Sequence, residues 1–158
     1  VTTDVSSTAE DFDITFNLME AGSTAAEKMR LESNGNLGIG VANPSVQLHI
    51  AKSSIADIGT LTSATSITPD FAASQNFTVT LAHNAALENP SNVVAGQTGS
   101  VFVVQDGTGS RTMSYGTSWE FPAGAAPTLT TTAAALDRID YIVRSATSIQ
   151  AVATLAYA

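Results

Sequence analysis

The chain has 158 residues, of which 44% are hydrophobic, 6% aromatic and 13% charged, with no cysteine and a formal charge of −8. That length suits one ordinary domain or two small ones, and the absence of thiols excludes a disulfide framework and a thiolate metal centre. Fourteen acidic residues against six scattered basic ones exclude a nucleic-acid partner held by a basic field, and no apolar run approaches a membrane span.

With two histidines, His49 and His83, no histidine-rich metal site is expected, and no cofactor. The opening VTTDVSSTAED has neither a basic region nor an apolar stretch, so it does not read as a signal peptide. It starts on Val1 and not methionine, so the chain is expected to be part of a longer one. Residues 1–9 read as a linker or an arriving strand.

In residues 11–19, DFDITFNLM, Phe12, Ile14, Phe16 and Leu18 alternate on one face, which predicts a half-buried strand. Residues 20–26, EAGSTAA, form a turn region. In residues 27–33, EKMRLES, Met29 and Leu31 alternate with Lys28, Arg30 and Glu32, so this stretch is expected to pair back as a hairpin. Residues 34–50, NGNLGIGVANPSVQLHI, read as short β elements separated by two turns. Asn34-Gly35 is a tight-turn dipeptide, and Asn43-Pro44 breaks the run. Leu37, Ile39 and Val41 alternate with Gly38 and Gly40, and Val46, Leu48 and Ile50 resume the pattern. The bare glycine face is expected to lie against a neighbouring strand or subunit. Leu37, Gly38, Ile39, Gly40 and Leu48 are therefore the shaft-packing candidates.

The composition shifts after residue 50, and a domain boundary is expected near Ser54, giving domains 1–54 and 55–158. The second half reads as an antiparallel meander with strands at 62–67, 76–82, 100–105, 111–115, 119–121, 138–144 and 149–157. Turn-rich separators such as ITPD, HNAALENPSN and QDGTGS lie between them. Residues 101–104 are apolar on both faces, as a central strand would be. Residues 128–136, TLTTTAAAL, allow one short helical turn. Short strands at regular spacing argue for a β-sandwich of jelly-roll type.

Residues 30–50 resemble a module of bacteriophage tail-fibre and tailspike shafts. The matching residues are Arg30, Leu31, Gly35, Asn36, Leu37, Gly38, Ile39, Gly40, Pro44, Leu48, His49 and Ile50. The second half resembles, more loosely, a C-terminal domain of prophage tail-fibre and structural proteins. Its landmarks are Phe77 to Leu81, Asn84, Asn89-Pro90, Gly96-Gln97-Thr98-Gly99, Gln105 to Arg111, Trp119, Phe121-Pro122, Gly124, Pro127 to Leu129 and Asp137. The resemblance implies an all-β homotrimeric fibre segment of the virion, made in the bacterial cytoplasm, without catalysis. Its expected partners are other virion proteins and a bacterial surface glycan or outer-membrane receptor. A glycan-degrading tailspike, and a head or baseplate fibre with a purely structural role, are the alternatives.

Few residues invite chemistry. Gly35, Gly38 and Gly40 are not a phosphate loop, because Pro44 and renewed alternation follow where a helix would be needed. Asp106-Gly107-Thr108-Gly109-Ser110 offers oxygen ligands but lacks the further carboxylates of a calcium site, so a hairpin loop is expected. Asp137 and Asp140 are three apart on a strand and face opposite sides, which defeats a paired-carboxylate hydrolase. Asp137 is expected to cap a turn. Ser110 and His83 lack a third catalytic member. Tyr115, Trp119 and Phe121 form the one aromatic cluster. It is read either as a glycan-stacking site or as a core anchor.

Overall fold

The computed structural model describes residues 12–157, and the stretch read above as a linker or arriving strand lies outside them. The chain divides into two compact units, between Ile55 and Ala56. The described residues are almost entirely β, with a single 3-10 turn at Pro122–Gly124.

The first unit is a four-stranded sheet in the order β1 (Ile14–Leu18), β2 (Ala26–Leu31), β3 (Leu37–Ile39), β4 (Leu48–Ile50). β1 and β2 form the expected antiparallel hairpin, with a bulge opposite Phe16 and Asn17. The turn joining them uses positive φ at Ala21 and Gly22. β2 returns antiparallel into β3 through Asn34-Gly35, where Gly35 has φ +88° and the Asn34 side chain accepts from the Asn36 N–H at 2.8 Å. β3 and β4 are parallel, so the chain between them crosses over instead of making a second tight hairpin. Asn36 Nδ2 donates to the Pro44 carbonyl at 3.0 Å and tethers that crossover.

Gly38 is buried, as a close-approach glycine should be, but its neighbour differs from the expected one. A Cβ there would fall 2.5 Å from the Val41 carbonyl oxygen and 3.4 Å from Pro44 Cγ. The reason is Gly40: its φ of +70° turns the chain back, and the chain's own crossover packs under Gly38.

The second unit is a two-layer, sandwich-like arrangement. The six-stranded sheet runs β11 (Trp119–Glu120), β13 (Ser148–Tyr157), β12 (Leu136–Ser145), β9 (Thr98–Gln105), β7 (Asn76–Leu81), β5 (Ile58–Thr60). The three-stranded sheet runs β10 (Met113–Tyr115), β8 (Ala85–Leu87), β6 (Ser66–Ile67). The sheets are mixed and not an antiparallel meander. Only β12 with β13 and β12 with β9 are antiparallel, while β5–β7, β7–β9, β11–β13, β6–β8 and β8–β10 are parallel. Consecutive strands such as β7, β8 and β9 alternate between sheets, so neighbours within a sheet are separated by crossovers.

Inner-facing alternate residues close the core: Phe77, Val79 and Leu81 of β7, Val101 and Val103 of β9, and Ile139, Tyr141 and Val143 of β12. Leu87 and Ile67 of the smaller sheet meet them. Phe71 lies among the aromatics, stacked on Tyr141 at 4.6 Å between ring centroids and edge-on to Trp119 at 6.4 Å. The Tyr141 hydroxyl donates to the Gln75 carbonyl at 2.7 Å, and burial pushes it up to about 12. Gly99 makes that bond possible, since any Cβ there would overlap the Gln75 carbonyl and the Tyr141 hydroxyl.

Residues 128–135 form no helix. A single turn at 132–135, with Ala134 at positive φ, follows an irregular stretch that is pinned by Asp137, which is only 2% exposed. Its carboxylate accepts from Thr130 N–H at 2.7 Å and Ala156 N–H at 2.8 Å.

Candidate functional site

Pairing across the first unit aligns its apolar side chains into rows. Ile14 faces Leu31, Leu31 faces Leu37, and Leu37 faces Leu48. One step along the strands, Phe16, Met29, Ile39 and Ile50 form a second row. Side chains alternate across a strand, so both rows lie on one face. The intervening row, Thr15, Arg30, Gly38 and His49, occupies the other. There the Arg30 guanidinium bonds Glu27 through two nitrogens, at 2.7 and 2.9 Å, and Asp13 at 2.8 Å. Its hydrogen bond to Glu27 pushes Arg30 further up and pulls the Glu27 carboxyl down.

Among the described residues this apolar face stays partly open to solvent. Ile14 is 56% exposed, Phe16 48%, Leu18 60% and Leu48 56%. The shaft candidates thus divide: Leu37, Ile39 and Leu48 build this face, Gly38 admits the crossover and Gly40 turns it.

In the second unit the aromatic trio splits. Trp119 is 6% exposed and donates its Nε1–H to the Glu88 carbonyl at 3.0 Å, so it anchors the core. Tyr115 and Phe121 are half-buried and meet edge to face at 4.7 Å. Both line a groove of about 760 Å³, together with residues 112–117 and 126–129. Trp119 and Leu129 are its buried lining residues, and Glu120 is its only carboxylate. Burial pushes the Tyr115 phenol well above its ordinary value, with nearby Asp137 adding to the effect.

The other sequence candidates are absorbed by structure. The loop after Gln105 is no hairpin, because β9 and β10 belong to different sheets. Its Asp106 carboxylate accepts from Thr108 and Gly109 N–H and from two Arg111 nitrogens, the closer at 2.7 Å. Asp137 points into the core, whereas Asp140 on the outer face binds Ser100 Oγ at 2.6 Å and Arg138 at 2.9 Å. His83 is exposed, and His49 Nδ1 lies 3.4 Å from the Ser45 N–H. Among the described residues no group of three His, Cys, Asp or Glu side chains is placed to hold a metal, and no helix is long and apolar enough to cross a membrane.

What sequence reading missed is the groove. Met113 and residues 126–129 carry no chemical signature, and β8, which places β10 beside the groove, lies within a stretch read as a turn. No protein-family model matches the chain, and no curated protein matches it.

Proposed function

We propose that this chain is a structural, non-enzymatic segment of a bacteriophage tail fibre or spike, carried in the extracellular virion. In this reading the first unit assembles as a homotrimer and joins other virion proteins. The second unit faces a bacterial surface receptor, a glycan or an outer-membrane protein. The observation that carries it is the pair of apolar rows on one face of the four-stranded sheet. At roughly 100 Å² of bare apolar surface for each half-exposed side chain, the face amounts to something on the order of 700 Å². That exceeds the roughly 300–600 Å² of the largest patch on an ordinary monomer and approaches the 800 Å² or so that each partner contributes to a stable interface. Closed cyclic symmetry is the usual way for identical faces to satisfy one another. The number three comes from the shaft resemblance.

The charge of −8 per chain opposes association. Charges at the surface are screened beyond about 8 Å at physiological salt, so the apolar term prevails. Sedimentation and light scattering on the purified chain are expected to give three times the chain mass, with a melting temperature that rises with concentration. A monodisperse monomer whose melt ignores concentration would overturn the reading.

A further inference from the structure

We infer that the groove beside β10 binds an extended polypeptide segment of another protein, which adds to the three-stranded sheet as a further strand. The first ground is which residues line it. Residues 112–117 all do so, six in succession. A strand's face presents every second residue, so an unbroken run means that the groove follows the strand's edge. β10 is indeed an edge strand, paired only with β8.

The second ground is where its hydrogen bonds go. Ala85 N–H donates to the Thr112 carbonyl, and Gly116 N–H donates to the Leu87 carbonyl. In a parallel ladder that phase turns the even-numbered main chain of β10 toward β8. The N–H and C=O of Met113 and Tyr115 turn the other way, toward the groove. Among the described residues, no main-chain or side-chain hydrogen bond engages them. Open edges on natural sheets are usually covered, charged or shortened, and an edge running along a preformed apolar cleft is the geometry used for strand addition.

The third ground is size and charge. The volume, about 760 Å³, falls within the usual range for ligand clefts, roughly 300–1,000 Å³. The half-buried lining residues Met113, Tyr115 and Phe121 suit apolar side chains at alternate positions of the incoming strand. Glu120 is exposed, and no hydrogen bond or ion pair engages its carboxylate among the described residues. A basic residue in the segment would be its complement. A saccharide fits less well, because the Trp119 ring, 6% exposed, offers little face to stack on and Tyr115 and Phe121 are packed against each other.

The inference does not depend on the first unit assembling. The probe is a blocked heptapeptide alternating valine and threonine around a central lysine, titrated into the full chain and followed by amide NMR. The Met113 and Tyr115 amides are expected to shift and gain exchange protection. A peptide N-methylated at alternate residues keeps its side chains but loses one set of edge bonds, and is expected not to bind. Ala126 is exposed, so Ala126→Trp fills the groove without touching the core and is expected to abolish binding while leaving the melt unchanged. Glu120→Gln should weaken binding about twofold to fivefold, the value of an exposed ion pair. The inference is overturned if the peptide gives no shifts up to millimolar concentration, or if they map to β1, β4 or β5. Equal binding of the N-methylated peptide overturns it too, as does maltoheptaose occupying the groove in the peptide's place.

Discussion

The two units face the same physical problem, how to keep the apolar face of a twisted sheet out of water, and they meet it differently. In the second unit a three-stranded sheet and the Phe71 segment lie over the six-stranded sheet, and Leu81, Val101, Ile139 and Ile149 are completely buried. In the first unit the period-two pattern is just as regular, yet Ile14, Phe16 and Leu48 stay about half exposed. The alternation of a strand therefore specifies which face is apolar and leaves open what covers it. The second unit carries its own cover, whereas the first has the composition of a core with one layer present.

The most direct way to break this comparison is to put a charge on each apolar face. If the first unit assembles as proposed, Leu48→Asp should dissociate the chain to monomers, because a carboxylate would then enter an apolar interface without a partner. The second unit should keep its near-UV spectrum and its own melting transition. Val103→Asp should do the reverse, unfolding the second unit while leaving the stoichiometry carried by the first. If Leu48→Asp leaves the sedimentation profile untouched, the bare face is not an interface.

Next in size is Asp137. Its buried carboxylate accepts from two main-chain donors, and Asp137→Ala would remove the partner of both the Thr130 and Ala156 N–H. With hydrogen bonds to a charged group worth about 1.5–3 kcal/mol each, the loss should be about 3 kcal/mol or more. Asp137→Asn keeps one acceptor and should cost roughly half as much. Denaturant melts of the second unit's transition measure both, and the first unit's transition should not move.

A smaller effect is expected for Gly38→Val. The added side chain meets the chain's own Val41 carbonyl, so the crossover must shift, at a cost of about 1–3 kcal/mol typical of overpacked sites. Because the clash lies within one chain, the variant should lose thermal stability at every protein concentration. A loss confined to low concentration would instead return Gly38 to a contact between subunits.

Particular residues show why some of this was legible in the sequence and some was not. Phe77, Val79 and Leu81 are apolar at alternate positions, and they fold as a strand with those three side chains buried. Strand direction was not legible, because a period-two pattern is the same in parallel and antiparallel pairs. β8 was hidden because Ala85 to Leu87 is only three residues long and flanked by turn formers. β5 was hidden by Gly59 inside a composition break. Local propensity leaves residues 128–136 open to a helical turn; one turn forms at 132–135 without becoming a helix, and the Thr130 N–H is taken by the Asp137 carboxylate, a contact that propensity does not reveal. Trp119 was recognisable as an aromatic anchor or a sugar platform, and only its burial and its bond to Glu88 distinguish the two. The groove was beyond sequence reading altogether, since being an edge is a property of topology and not of Met113, Ser114 or Tyr115 themselves.

The smallest expected effect is a dependence on acid that touches both units through different carboxylates. The Arg111 guanidinium, with the Gly109 and Thr108 N–H groups, holds the Asp106 carboxyl below its ordinary 3.8. Asn92 and the Ala72 N–H do the same for Asp70, and Arg30 holds Glu27 below its ordinary 4.5. A carboxyl whose folded value is depressed contributes its stability in full above the unfolded value, and loses it as pH falls through the folded one. Melting temperatures should therefore be flat on this account from pH 7 to about 5 and fall below about 4. All three groups lie at the surface, where solvent screening keeps each contribution small. Asp106→Asn should lower the second unit's melt slightly at pH 7 and reduce its further fall in acid, because that site no longer has a proton to take up. Glu27→Gln should do the same for the first unit alone. If either variant changes the acid response of the other unit's transition, the two units do not unfold as separate bodies, and the contrast between a closed core and an open face would have to be redrawn around a shared one.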